Sequence, residues 1–292
     1  MRHGILLDGE RVKASGRQTN PVRPGVLTNS GLGKKSKDAI MNNSAIEKTD
    51  FAIIEPRKGR RESRLPATGL LVFTSQDLDL VLSGFGSPPK LINRLYHAKV
   101  YVGSHENTEV AIAGPSLGAP QTILLLEKLI ALGVRNFLAF GWCGSLQSNV
   151  AIGDVIVPNG ALSEEGTSQH YPVNTTRLGP APEIEAPLRN LLNNTGLTVH
   201  EGVVWTTDAP FREMVSKVVK YQREGVLGVE MEVSALFTVA HFRGVRLAAV
   251  LAVSDELYSL KWVHGFKSDT FNRTRQVLAE LVVGFRCNIE EA

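Results

Sequence analysis

The chain has 292 residues, of which 43% are hydrophobic and 21% charged, and a formal net charge of +3. That length and composition exclude an intrinsically disordered chain and allow one large α/β domain or two small ones. Two cysteines, Cys143 and Cys287, exclude a disulfide scaffold. The longest apolar run, near 247–253, is far shorter than the roughly 20 residues a membrane-spanning helix needs.

The positive charge is local. Residues 1–65 hold 14 Lys and Arg against 7 Asp and Glu, and the remainder holds 18 against 22. Residues 1–48 lack apolar periodicity and are rich in Gly, Ser, Asn, Lys and Arg. They are expected to form a basic, disordered leader ahead of a single α/β domain over 49–292, with Met41 as an alternative start. No apolar core of about 7–15 residues precedes a small-residue cleavage site, so no secretory signal is read and the expected location is cytoplasmic. The run Arg57-Lys58-Gly59-Arg60-Arg61 is either a solvated loop or a contact for phosphates.

From about Thr49 short apolar runs alternate with helical patterns, the signature of βα units around a buried, largely parallel sheet. A strand is expected over 69–73, then Thr74-Ser75 as a helix cap and a helix over 76–82. Strands are expected over 99–102 and 109–113, and an amphipathic helix over 120–132 stopped by Gly133. Residues 136–140 read as a buried strand ending in Gly141-Trp142-Cys143-Gly144, and 154–158 as a short strand. Residues 160–182 are polar and rich in Pro and Gly, which predicts a long loop or flap. Helices are then expected over 184–194, 211–224, 233–242 and 271–285, with strands over 197–206 and 246–253.

Ligands of open α/β sheets gather beyond the carboxyl ends of the strands. Gly114 to Gly118, the Gly141 to Gly144 turn, Thr206 to Phe211 and Ser254-Asp255 all fall at such ends, and Gly228-Val229-Glu230-Met231-Glu232 precedes an apolar helix. On spacing alone, Glu230 and Glu232 are either two acids beside a helix dipole or carboxylates that accept the hydroxyls of a sugar diol, with Met231 against its apolar face. Asp255 either caps its strand or, in a partly dry site, keeps a proton to donate to a leaving group. Cys143 has no evident basic partner and reads as a buried thiol. Lys261, His264 and Lys267 read as loop charges or as support for Asp255. The histidines show no metal-ligand spacing, and Gly114 to Gly118 is not a dinucleotide fingerprint.

Gly-Val-Glu-Met-Glu-Val-Ser-Ala at 228–235, followed by Val253-Ser254-Asp255, resembles the signature of the nucleoside phosphorylase superfamily, in its hexameric purine-nucleoside, uridine and nucleosidase branches. The resemblance spans roughly 68–285. It implies a three-layer α/β sandwich around a mixed, partly barrel-like sheet. It implies cleavage of the N-glycosidic bond of a nucleoside, a purine one by this branch. By resemblance Glu232 binds the ribose hydroxyls, Met231 and Glu230 line the sugar, Asp255 protonates the base with Ser254 in support, Phe211 lies near the base, and Cys143 and Gly144 border the substrate. The implied partners are a small-molecule nucleoside and further copies of the chain, as a dimer or trimer of dimers, with no membrane and no nucleic acid. No cofactor and no metal are implied, and phosphate is the candidate co-substrate.

The anion subsite departs from the family pattern. The first-loop arginine becomes Leu78 with Asp77 beside it, residues around the central turn become Ala139 and Trp142, and the arginine lent by a neighbouring subunit falls on Tyr96, near Arg94 and His97. A dianion needs such cations. Thr74 and Ser75 at a helix N-terminus, Ser116, and Arg94 from a second copy are the candidates for what remains of an anion subsite. A water-using nucleosidase, with Asp77 as a candidate to position the water, and a catalytically inactive nucleoside-binding protein are therefore the alternatives to a phosphorylase.

Overall fold

The computed structural model describes residues 51–173 and 178–285. The chain divides into an N-terminal unit, 1–53, and a second unit, 54–292. The leader expected over 1–48 lies outside the described residues.

The second unit begins with β1 (Thr68–Val72), α1 (Ser75–Ser83), β2 (Lys90–Leu95), β3 (Ala98–His105), β4 (Thr108–Gly114) and α2 (Ala119–Leu132). It continues with β5 (Asn136–Ser145), β6 (Val155–Glu164), α3 (Pro182–Leu192), β7 (Val199–Thr207), α4 (Val215–Arg223) and β8 (Gly228–Glu230). It ends with α5 (Val233–Arg243), β9 (Arg246–Glu256), β10 (Val263–His264) and α6 (Asp269–Gly284). Short 3-10 turns occupy Ser168–His170 and Pro210–Arg212. The cap read at Thr74 is made as a side-chain bond, its Oγ1 accepting the Asp77 N–H at 3.1 Å to start α1, and Ser268 Oγ, not singled out in the sequence, accepts the Phe271 N–H at 3.2 Å to start α6.

One mixed sheet runs β10-β9-β6-β7-β8-β5-β1-β4-β3-β2, and an extra pairing of β9 with β5 closes five of these strands, β5, β9, β6, β7 and β8, into a ring. The ring is mixed: β5 with β9, β6 with β7, and β7 with β8 run parallel, whereas β5 with β8 and β6 with β9 run antiparallel. Within it β9 reads as a continuous apolar run from Leu247 to Val253 because both its faces are covered. Leu247, Ala249, Leu251 and Val253 of β9 join a core shared with α2 and α5, while Ala248, Val250 and Ala252 join one shared with α1, α3 and α6. Those two cores, one on each face of the sheet, make the three-layer α/β architecture.

Three elements differ from the pattern reading. β2 carries only one buried residue, Leu95, so it has no apolar run to announce it. β6 extends into the polar stretch as far as Glu164, paired with β7 throughout, so backbone pairing overrides composition there. The helix expected over 211–224 is a 3-10 turn followed by α4, because Pro210 starts the turn and Glu213 leaves helical geometry at ψ 81°. No helix among the described residues is long and apolar enough to cross a membrane.

Candidate active site

The carboxyl ends of β5 and β9, the end of β8 and the start of α5 border one cavity of about 610 Å³. Thr74, Cys143, Gly144, Phe211, Glu230, Met231, Glu232, Ser254 and Asp255 all line it. Ser75, Ser116 and Arg94 do not: Ser75 is exposed on α1, Ser116 is buried with its Oγ accepting from Thr122 at 3.0 Å, and Arg94 is exposed on the outermost strand β2.

The Glu230 and Glu232 carboxyls are both buried but have different tasks. Glu230 is saturated. Its Oε1 accepts a short bond from the Thr206 hydroxyl, and its Oε2 accepts the backbone N–H groups of Glu232 at 2.6 Å and Val233 at 2.7 Å. It therefore satisfies the otherwise orphan donors at the start of α5 and fixes the turn that carries Glu232. Glu232 Oε1 accepts the Gly118 N–H at 2.6 Å, and the Met231 backbone N–H also favours the charged form of this carboxyl. Gly118 has φ 77°, a backbone geometry suited to glycine, which is how its N–H reaches that carboxylate. Burial, reinforced by the neighbouring Glu230 carboxyl, raises Glu232 well above the ordinary range.

Asp255 ends β9. Its Oδ1 accepts the Ser254 hydroxyl at 2.6 Å and its Oδ2 accepts the Trp262 indole N–H at 3.0 Å. Burial raises its pKa, and the Ser254 and Trp262 bonds pull the other way. Gly144 stands opposite Asp255 on β5, where the register shifts, and pairs with Val229 on its other side. A Cβ there meets Leu257 Cδ1 at 2.6 Å and Asp255 Oδ2 at 2.9 Å, so any larger residue forces those two side chains to shift. Phe211, 97% exposed, stands on the rim. Glu213 also lines the cavity, pushed up to about 7 by burial and by the Asp255 charge. Cys143 is buried, and burial pushes its thiol up, away from a nucleophilic thiolate.

The third wall is formed by Phe73, Thr74 and Trp142. Behind it Asp77, fully buried, accepts from Arg275 Nε at 2.7 Å, from Thr74 Oγ1 at 2.9 Å and from the Trp142 indole N–H. The Arg275 guanidinium lies 5.0 Å from the Trp142 ring centroid, over its face. Asp77 is thus no free water-positioning group, since its oxygens are taken and it does not line the cavity. Four carboxyls, Glu213, Glu230, Glu232 and Asp255, face the cavity against one cation, Lys261, among the described residues.

Glu213, Trp262 and the Asp77–Arg275 pair escaped the sequence reading. A continuous helix over 211–224 leaves Glu213 unremarkable, whereas the turn delivers it to the cavity. The signal for Trp262 was a large aromatic in a polar loop just after Ser254-Asp255. Arg275 meets Asp77 across 198 positions, a separation no local pattern reports.

This arrangement of a mixed ringed sheet with a Glu-Met-Glu turn facing a Ser-Asp strand end defines a nucleoside phosphorylase-type α/β fold. Residues 68–285 match the model of the phosphorylase superfamily, and the chain belongs to that family. It is 30% identical over 167 residues to a guanosine phosphorylase of Halorubrum lacusprofundi, covering 56% of this chain and 68% of that one. It is 26% identical over 185 residues to a DeoD-type purine nucleoside phosphorylase of Clostridium novyi, covering 62% and 79%. Among solved structures, uridine phosphorylase from Vibrio fischeri superposes with a TM-score of 0.68 at 22% identity, covering 80% of this chain and 97% of that one. Purine nucleoside phosphorylase from Toxoplasma gondii, in complex with immucillin-H, gives 0.70 at 17%, covering 80% and 96%. At these identities the structural likeness concerns the fold.

Proposed function

We propose that the cavity binds a purine nucleoside and cleaves its N-glycosidic bond. The observation that carries this reading is that the buried Glu232 carboxyl lines the same cavity as Asp255, whose carboxyl burial raises. Glu232 accepts the ribose hydroxyls and Met231 packs on the sugar. Asp255 gives its proton to a ring nitrogen of the base. The C1′–N bond breaks, its electron pair leaves with the base, and the acceptor oxygen bonds C1′ and loses its own proton to solvent. Protonation makes the base a better leaving group, and the buried carboxylate steadies the positive charge that develops on the sugar. The purine preference rests on relatives named for guanosine and purine nucleosides. Glu213, a carboxyl beside Asp255, suits a base edge that presents N–H donors.

A second reading concerns the acceptor, and the closed wall at Trp142 favours it. The Arg275 guanidinium lies 5.0 Å from the Trp142 ring, and Asp77 neutralises it. A lining with one lysine as its cation among the described residues offers a phosphate dianion little to bind. Water as acceptor needs no such cations and releases the free base and free sugar. Phosphorolysis instead requires cations from a neighbouring copy, for which exposed Arg94 is the candidate.

A panel of nucleosides, incubated with and without phosphate and followed by base release, tests both readings. Release from purine nucleosides in the absence of phosphate is expected. No release from any nucleoside under either condition overturns the first reading, and strictly phosphate-dependent release overturns the second.

A further inference from the structure

Asp255 has two hydrogen-bonding partners of different kinds. Ser254 is donor and acceptor at once: its hydroxyl lies 2.6 Å from Asp255 Oδ1 and 3.2 Å from the Cys143 carbonyl. It can therefore turn toward Cys143 and accept from Asp255 once that carboxyl carries a proton. The Trp262 indole N–H is a donor only, and it points at Oδ2. Its bond is compatible with a carboxylate and opposes a proton on that oxygen.

We infer that Trp262 is a positioning residue that governs Asp255: the indole N–H keeps Oδ2 free of a proton, and a base entering beside Oδ2 must displace the indole before that oxygen can take up a proton from solvent and pass it to the base. The inference rests on the reading of Asp255 as the proton donor to the base. Trp262 is suited to moving. Its side chain lines the cavity while the residue is 62% exposed. It precedes the two-residue strand β10, which is anchored by Val263 and His264 pairing with Glu256 and Asp255. Apart from Asp255, its ring meets His264 at 5.5 Å and Phe266 at 6.2 Å between centroids, both on its own loop. A displaced indole remains at the mouth of the cavity, on the side where a base would lie, and offers it an aromatic face.

The other groups around Asp255 bear on its proton but none blocks Oδ2. Glu256 on β9 and Glu213 before α4 carry like charge, and His264 on β10 favours the ionised form. The Cys143 thiol on β5 is buried and neutral, and Lys261 borders the cavity from the same loop as Trp262. Among these neighbours Trp262 is the donor bonded to Oδ2.

The test uses the full chain labelled with 15N at its three tryptophans. The Trp262 indole resonance, assigned by its loss in Trp262→Phe, is expected to shift with pH in one titration, and that titration is expected to vanish in Asp255→Asn. Adding the free base guanine or adenine is expected to move the same resonance. In base-release assays a general acid loses activity as pH rises through its pKa. Trp262→Phe, which removes a bond to the charged form, is therefore expected to move that alkaline limb upward by roughly half to one pH unit. An indole signal indifferent to pH and to Asp255→Asn, or a limb unmoved in Trp262→Phe, overturns the inference. If the wild type releases no base at all, the glycosidic reading fails, while the indole titration still decides whether Trp262 and Asp255 are coupled. The exposure of Trp262 makes loss of fold in Trp262→Phe unexpected, and a circular dichroism spectrum verifies this.

Discussion

Asp77 and Arg275, separated by 198 positions in the chain, meet at 2.7 Å beneath the ring of Trp142. Their ion pair ties α1 to α6 behind the cavity wall that Phe73, Thr74 and Trp142 form. A buried pair of this kind contributes little net stability when intact, yet its loss on one side strands a charge in a dry site. Arg275→Met is expected to lower unfolding free energy by about 3–5 kcal/mol in urea titrations. The double variant Asp77→Leu, Arg275→Met is expected to recover most of that loss. A double variant as unstable as the single one means that the residues pack independently and the pair is not the relevant unit.

Glu232 is expected to be indispensable for sugar binding. Two hydroxyl bonds to a carboxylate are worth a few kcal/mol together, so Glu232→Ala should reduce base release by roughly 10²–10⁴-fold. It should also abolish the rise in melting temperature that a bound nucleoside gives the wild type. Thermal stabilisation by nucleoside that persists in Glu232→Ala rules out this role.

Gly144→Ala tests the close approach of β5 to the acid. The added methyl meets Asp255 Oδ2 and Leu257 at contact distances no folded structure tolerates, so the Asp255 carboxyl must turn. The expected outcome is at least a tenfold loss of base release (~1.4 kcal/mol of barrier) with an unchanged circular dichroism spectrum. Full activity in this variant rules out Asp255, in its observed position, as the proton donor.

Stability should fall as pH rises across the neutral range. Glu213 is pushed up to about 7 from an ordinary value of 4.5, and burial raises Glu232 as well. A carboxyl whose folded pKa exceeds its unfolded pKa stabilises the fold below the unfolded value, and that contribution disappears as pH climbs through the folded one. The urea midpoint is therefore expected to decline between pH 4.5 and 7. Glu213→Gln should flatten part of that decline, and an unchanged slope in that variant refutes the assignment.

Much of this architecture was readable from the chain because burial on both sheet faces leaves a strong local trace. The strand over 246–253 is one uninterrupted apolar run, and the Glu-Met-Glu and Ser-Asp segments stand directly at element ends. What could not be read arises from pairing across distance or from a residue's immediate turn. β2 is mostly exposed and holds its place through its ladder with β3. Glu230 has the same composition-level appearance as Glu232, and only the fold shows that it spends its oxygens on Thr206 and the start of α5. Ser116 and Arg94 had suitable chemistry and lie away from the cavity, since residue type carries no information about where a side chain ends up.

The strand ring also acts as a ruler. Gly144 on β5 is bonded to Val229 on one flank and aligned with Asp255 on the other. β8, which ends two residues before Glu232, and β9, which carries Asp255, are thus neighbours of one common strand, two ladder widths apart, or roughly 10 Å. Because the ring has no loose edge, that interval cannot stretch or shrink as surrounding loops open and close. On the reading of Glu232 as the sugar acceptor and Asp255 as the proton donor, a ligand whose sugar and base nitrogen span a different length cannot engage both carboxyls at once.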